Sequence, residues 1–154
     1  MAIALTPFEG LCGFRPLKDI EKNINDYPEI IEVIGKEVYE DFISIVNDDT
    51  ISSPFDVERR KNILKKVYKN LMEQDHDIIK TNLDKLIKRI SAADPNPKKG
   101  TLNEVLMRIE SQYPGDVGIF SIFLLNLISL KPGEGLYLAA NEPHAYISGG
   151  KNKL

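Results

Sequence analysis

Through residues 17–113 apolar side chains recur three and four positions apart among charged ones, the spacing of helices that each bury one stripe. Ser53 and Pro54 read as an N-cap followed by a proline at the first helical position, and Val57, Leu64, Val67, Tyr68, Leu71 and Met72 continue that helix to about Gln74. Ile78, Ile79, Leu83, Leu86, Ile87 and Ile90 repeat the stripe until Asp94-Pro95-Asn96-Pro97 stops it. Thr101 and Glu104 form a capping box, with the glutamate placed to reach back to the threonine amide, and Leu102, Val105, Leu106 and Ile109 supply the buried face behind it. Residues 17–47 predict two further helices, interrupted at Tyr27-Pro28 and at Gly35.

The flanks carry a different pattern. Ile3 and Leu5 alternate with smaller residues, as in a strand, and Gly10, Gly13 and Arg15-Pro16 then read as a loop. After the turn Tyr113-Pro114-Gly115-Asp116, residues 124–130 form a continuous apolar run that suits a strand covered on both faces, while residues 117–123 are open to a short helix. Lys131-Pro132-Gly133-Glu134 turns that run into residues 135–138, which predicts a β-hairpin. One strand and one hairpin cannot bury such faces unaided, so the expectation is a helical block inserted into part of a larger β-structure. The boundaries are a strand and loop over 1–16, helices over 17–113, hairpin and loop over 114–149 and a distinct tail over 150–154.

Composition narrows the function classes. With 154 residues and 42% apolar side chains the chain can bury a real core. A net charge of −3 gives no broad positive field for nucleic acid or an anionic membrane. Of the 20 basic and 23 acidic residues, 16 and 19 fall within 17–113, so the cluster Arg59, Arg60, Lys61, Lys65, Lys66 and Lys69 reads as a solvated, neutralised helix face. The single cysteine, Cys12, excludes an internal disulfide and fits a reducing, cytoplasmic setting, and neither a signal peptide nor a membrane span is legible.

Only His76 and His144 could supply imidazole to a metal. His76, between Asp75 and Asp77, reads as a solvated helix end. His144 lies in Asn141-Glu142-Pro143-His144-Ala145-Tyr146, directly after a predicted strand, where a rigid sheet edge can hold an imidazole and a carboxylate towards one ion. By residue type alone the commoner reading is a hydrogen-bonded turn histidine.

Four segments, the opening Met1-Ala2-Ile3-Ala4-Leu5-Thr6-Pro7 with its continuation to Arg15, the stretch from Gln112 to Gly118, the run from Leu125 to Glu134, and Ala140 to Gly149, together resemble the type I mannose-6-phosphate isomerases. That resemblance implies an α+β fold, a partial cupin-type β jelly roll with an inserted all-helical domain. It implies interconversion of mannose 6-phosphate and fructose 6-phosphate, feeding GDP-mannose synthesis, with bound zinc as cofactor and a sugar phosphate as partner. Carried over residue by residue, it implies His144 as a metal ligand and Tyr146 as a residue lining the substrate pocket. The family's other ligands come from a Gln/His motif and from the glutamate of a His-Lys-Pro-Glu motif that precedes the stretch beginning here at Met1. No catalytic residue is carried over, weak or absent zinc binding and no independent turnover are expected of this chain, and self-association through exposed strand edges is anticipated. The last five residues depart from the family pattern, and Gly150-Lys151 is what a splice-donor sequence read in frame would encode. The other reading is a non-catalytic module in which the helical block binds a partner.

Overall fold

The computed structural model describes residues 2–48, 54–139, 141–149 and 151–153. The chain forms two compact units, one built from residues 1–15 and 124–154 and the other from residues 16–123.

Among the described residues the helical unit holds six α-helices: α1 (Leu17–Asp26), α2 (Glu29–Ile34), α3 (Lys36–Val46), α4 (Pro54–Met72), α5 (His76–Ala93) and α6 (Leu102–Gln112), followed by a 3-10 helix over Val117–Phe123. The first stretch gives three helices where the pattern predicts two. Gly35 separates α2 from α3 at φ +88°, a backbone state that costs glycine little and other residues much, so the break is sharp enough to start a new helix one residue later. Ser53, the expected cap of α4, lies outside the described residues.

The stripes are mostly those the spacing predicts, with shifts at helix starts. Along α4 the buried positions are Ile63, Val67 and Leu71, while Val57 is 54% exposed. Along α5 they are Ile79, Leu83, Leu86 and Ile90, and Ile78 faces water at 40% exposure. A first-turn residue has fewer neighbouring turns over it, so the seam starts one turn in. Ile20, Ile24, Ile30, Val33, Phe42, Val105, Leu106, Phe120 and Phe123 are among the other side chains of this core. Each such side chain contributes about 2 kcal/mol of burial.

Polar side chains close the helix ends that this core leaves open. The last carbonyls of α2 have no partners along their own helix, and Asn70 of α4 and Gln74, just beyond its end, donate to Ile34 O and Val33 O at 3.1 and 2.6 Å. Asp75 caps α5 by accepting from the amides of Asp77 and Ile78 at 2.9 and 3.4 Å. At α6 the Thr101 hydroxyl accepts from Glu104 N at 3.4 Å, but the Glu104 carboxylate takes the amide of Gly100 rather than that of Thr101, which already donates to Lys98 O.

The β unit corrects the expected topology. Its strands are β1 (Ala2–Ala4), β2 (Phe8–Phe14), β3 (Leu125–Leu130), β4 (Gly135–Leu136), β5 (His144–Ser148) and β6 (Lys151–Lys153), in two three-stranded sheets ordered β4-β1-β6 and β3-β2-β5. The residues around Gly10 and Gly13 are therefore strand and not loop. Nor do β3 and β4 pair as a hairpin: β3 pairs antiparallel with β2, and β4 with β1. Between the two ladders Ala4 N donates to Glu134 O at 2.9 Å and Gly133 N to Ala4 O at 2.8 Å, so pairing runs on through Lys131-Pro132-Gly133-Glu134. That segment is a corner at which a strand passes from one sheet to the other, as residues 5–7 are on the strand beside it. Residues 2–14 thus run down the middle of both sheets, with 125–136 on one side and 144–148 and 151–153 on the other. The tail segment Lys151–Lys153 pairs with β1 in register Ala2 to Lys153.

Candidate functional site

Antiparallel pairing places residues of three strands in rows across the β3-β2-β5 sheet. Cys12 stands opposite Asn126 on one side and His144 on the other, and Gly10 stands opposite Ile128 and Tyr146. Residues paired in this way share a face, and the period of two along β5 brings His144 and Tyr146 to the same one, with ring centroids 5.7 Å apart at 65°. Tyr146 also meets Phe8 edge-on at 5.4 Å and 64°. Gly10 makes room for that pair, because a Cβ there would lie 3.1 Å from the Phe8 ring and 3.0 Å from Ala145 O. His144 and Tyr146 are both exposed.

The His144 ring is oriented by the backbone. Its Nδ1 lies 2.9 Å from Glu142 O, a carbonyl that can only accept, so Nδ1 carries the proton and the Nε2 lone pair is left facing outward. Metal-bound histidines use this arrangement, in which a backbone carbonyl fixes the tautomer from behind. The Glu142 carboxylate reaches the other way, to within 3.0 Å of where a Cβ on Gly13 would stand. Burial and, second, the Glu142 charge push the Cys12 thiol above its ordinary range, so Cys12 stays protonated.

These groups do not make a metal site by themselves. Among the described residues no three histidine, cysteine or carboxylate side chains come together in an arrangement that could hold an ion. A zinc site needs at least three protein ligands, and this face offers one correctly presented imidazole.

The second histidine has different surroundings. His76 begins α5, is exposed, and lines a cleft of about 520 Å³ in the helical unit with Met72, Gln74, Ile79, Tyr113 and Asp116. Three cations of the basic stretch of α4 face acidic side chains: Arg59 faces Asp48 and Asp56, Lys66 pairs with Asp41 at 2.6 Å, and Lys69 with Glu73 at 3.9 Å. No helix among the described residues is long and apolar enough to cross a membrane.

Sequence reasoning misses Asn126 and reads Gly13 as loop; it sets a carboxylate beside His144 towards one ion, whereas the Glu142 side chain folds towards Gly13. A lone carboxamide inside the apolar run 124–130 is the available signal, since a polar side chain in such a strand needs a specific partner.

A family model described as the helical insertion domain of type I phosphomannose isomerase matches residues 33–125. The chain belongs to that family. Curated mannose-6-phosphate isomerases from Rattus norvegicus and Homo sapiens are each 40% identical to it over 151 residues, and that from Candida albicans is 42% identical over 154. In each case the match takes in 97% of this chain and 34% of the relative, so the chain spans about a third of the length of these enzymes. Two solved structures from Salmonella typhimurium share the fold at TM-scores of 0.66 and 0.62 with 23% and 24% identity, covering 97% of this chain and about a third of theirs. The first is a phosphomannose isomerase mutant, and the second is a mannose 6-phosphate isomerase bound to its substrate and to zinc.

Proposed function

We propose that this chain carries one part of a zinc-dependent aldose-ketose isomerase site acting on mannose 6-phosphate and fructose 6-phosphate, with His144 as a metal ligand and Tyr146 on the substrate side. The β unit is read as part of a cupin-type jelly roll interrupted by the helical domain, in a cytoplasmic enzyme that feeds GDP-mannose synthesis. The observation that carries this reading is the His144 ring: its Nδ1 lies 2.9 Å from Glu142 O, the residue is exposed, and Tyr146 lies beside it on the same sheet face.

The residues present do not complete a zinc site, so no chemical step is assigned to this chain alone. Isomerisation needs a base at C1 and C2 of the sugar and an electrophile for the developing oxyanion, and the face around His144 supplies neither in full. What these residues do is bind and orient: His144 offers one lone pair in a fixed direction, and the Phe8–Tyr146 edge walls the space beside it.

The test is a coupled assay of fructose 6-phosphate formation from mannose 6-phosphate. The 154-residue chain with added zinc is expected to show no turnover, and zinc-dependent turnover lost in His144→Ala would overturn the missing-ligand argument. A relative of full length in which residues 2–149 of this chain replace the matching segment should be active, and His144→Ala in that hybrid should lower kcat/KM by ~100-fold or more together with zinc content. An active hybrid indifferent to His144→Ala refutes the ligand assignment. Sedimentation of the chain itself tests self-association through the β3 and β5 edges.

A further inference from the structure

β2 is not regular where it passes His144. Cys12 pairs with Asn126 and Phe14 with Leu125, so Gly13 is an extra residue, a bulge, held at φ +63°. A bulge turns carbonyls away from their ladder partners and leaves them short of donors. Here the Asn126 carboxamide supplies them, its Nδ2 lying 3.1 Å from Cys12 O, 3.2 Å from Gly13 O and 3.0 Å from Phe14 O. Three carbonyls converging on one amide nitrogen fix the shape of the bulge more tightly than any single bond could.

The bulge in turn holds the loop before His144. Gly13 N donates to Pro143 O at 2.9 Å, and the missing Cβ at Gly13 leaves the space into which the Glu142 carboxylate folds. Pro143 and Glu142 are the two residues that set where the imidazole starts and which carbonyl meets its Nδ1. The linkage runs from Asn126 to the bulge, from Gly13 to Pro143, and from Glu142 O to the ring.

We propose that Asn126 is a positioning residue for His144: by clamping the Gly13 bulge it holds the Glu142-Pro143 carbonyls so that the imidazole keeps its proton on Nδ1 and presents Nε2 outward. This rests on the reading of His144 as a ligand, and its test separates the two. The Asn126 amide meets backbone carbonyls of β2, so it acts on the ring through the backbone.

The experiment is long-range ¹⁵N–¹H correlation on the histidine-labelled 154-residue chain at a pH above the ordinary histidine range, with His76 as internal control, followed by zinc titration. The parent is expected to show His144 with the proton on Nδ1 and a zinc-induced shift at Nε2. Asn126→Ala should return His144 to the Nε2–H form typical of an unconstrained histidine, leave His76 unchanged, and weaken the zinc response at His144 by ~10-fold. A parent already in the Nε2–H form overturns the proposal without any variant. So does Asn126→Ala with the Nδ1–H form retained. Should Asn126→Ala lose the dispersed amide spectrum of the folded chain, Asn126→Ser, which keeps one donor, must give an intermediate tautomer ratio, and an unchanged ratio refutes the linkage. If the tautomer follows Asn126 while the full-length hybrid is indifferent to His144→Ala, the ligand reading fails and the positioning role stands; if the hybrid needs His144 while Asn126→Ala leaves the tautomer unchanged, the reverse holds.

Discussion

Arg89→Ala should destabilise the helical unit by about 2 kcal/mol, although both residues of the pair it breaks sit on a surface. The Arg89 guanidinium meets the Glu29 carboxylate in two parallel bonds of 2.6 and 2.8 Å, donates to Asp26 O at 3.3 Å, and lies 5.7 Å from the centroid of the Tyr27 ring. Exposed ion pairs contribute ~0.2–1 kcal/mol, whereas hydrogen bonds to charged groups contribute ~1.5–3 kcal/mol when water is held off. The side chain of Glu29 is only 10% exposed and that of Arg89 46%, so solvent screens the arginine side and the intermediate value applies. Burial pushes the Glu29 carboxyl up, but the Arg89 bond, a backbone hydrogen bond at Glu29 and the arginine charge outweigh it and hold it below the usual range. A carboxyl lowered on folding contributes stability that is present above its unfolded pKa and lost as pH falls through the folded one. The cost of Arg89→Ala should therefore be full at neutral pH and shrink below the ordinary carboxylate range. Urea unfolding followed by far-ultraviolet circular dichroism, which the helices dominate, gives the numbers for Arg89→Ala, Glu29→Gln and the double variant. The double variant should cost about 1 kcal/mol less than the sum of the singles. A cost under ~0.5 kcal/mol, an additive cycle, or a difference that does not change on acidification would refute the reasoning.

Two further outcomes follow from the same structure. Burial, with Asp84 and Asp116 close by and opposed only by the Gly115 amide, raises the Glu110 carboxyl, so whatever it contributes is present below the unfolded carboxylate pKa and lost as pH rises through the folded one. Glu110→Gln keeps an acceptor for Gly115 and should melt ~2 °C higher than the parent at neutral pH, with the gap closing in acid; a lower melting point at neutral pH speaks against an ionic penalty there. Asp75→Ala removes the acceptor for two amides at the start of α5 and should cost ~1 kcal/mol in the same urea assay, with Asp75→Asn recovering most of it.

The helices are legible because their signals are local. A seam at spacing three and four, a cap such as Asp75 and a stop at Asp94-Pro95 act within one or two turns, so α4, α5 and α6 follow from the chain itself. Gly35 is legible as an interruption, but whether six residues between Pro28 and Gly35 hold as a separate helix depends on Asn70 and Gln74, which satisfy its last carbonyls from more than thirty positions away. The capping box at Thr101 shows the same limit: its residue types are right, and the glutamate still takes the Gly100 amide because Lys98 O has taken the other.

The candidate site divides along the same line. His144 and Tyr146 stand out in the sequence as a motif that reads as a loop after a strand; the structure makes His144–Ser148 itself a strand, and only its period of two gives the pair a shared face. The sequence alone could not show that residues 131–134 form a corner and not a hairpin turn, because the partner that decides it, β1, lies at the other end of the chain. Nor could it show that Gly13 bulges beneath His144, since Asn126 and Pro143 reach Gly13 only once β2 is enclosed between β3 and β5. Local propensity and pattern are set by neighbours within a few residues, so sequence determines the helices, whereas residues 8–14 and 144–148 read as loop and become strands only with their partners. Pairing, register and the direction in which an imidazole presents its lone pair are set by hydrogen bonds between segments far apart in the chain, and only the folded chain decides them.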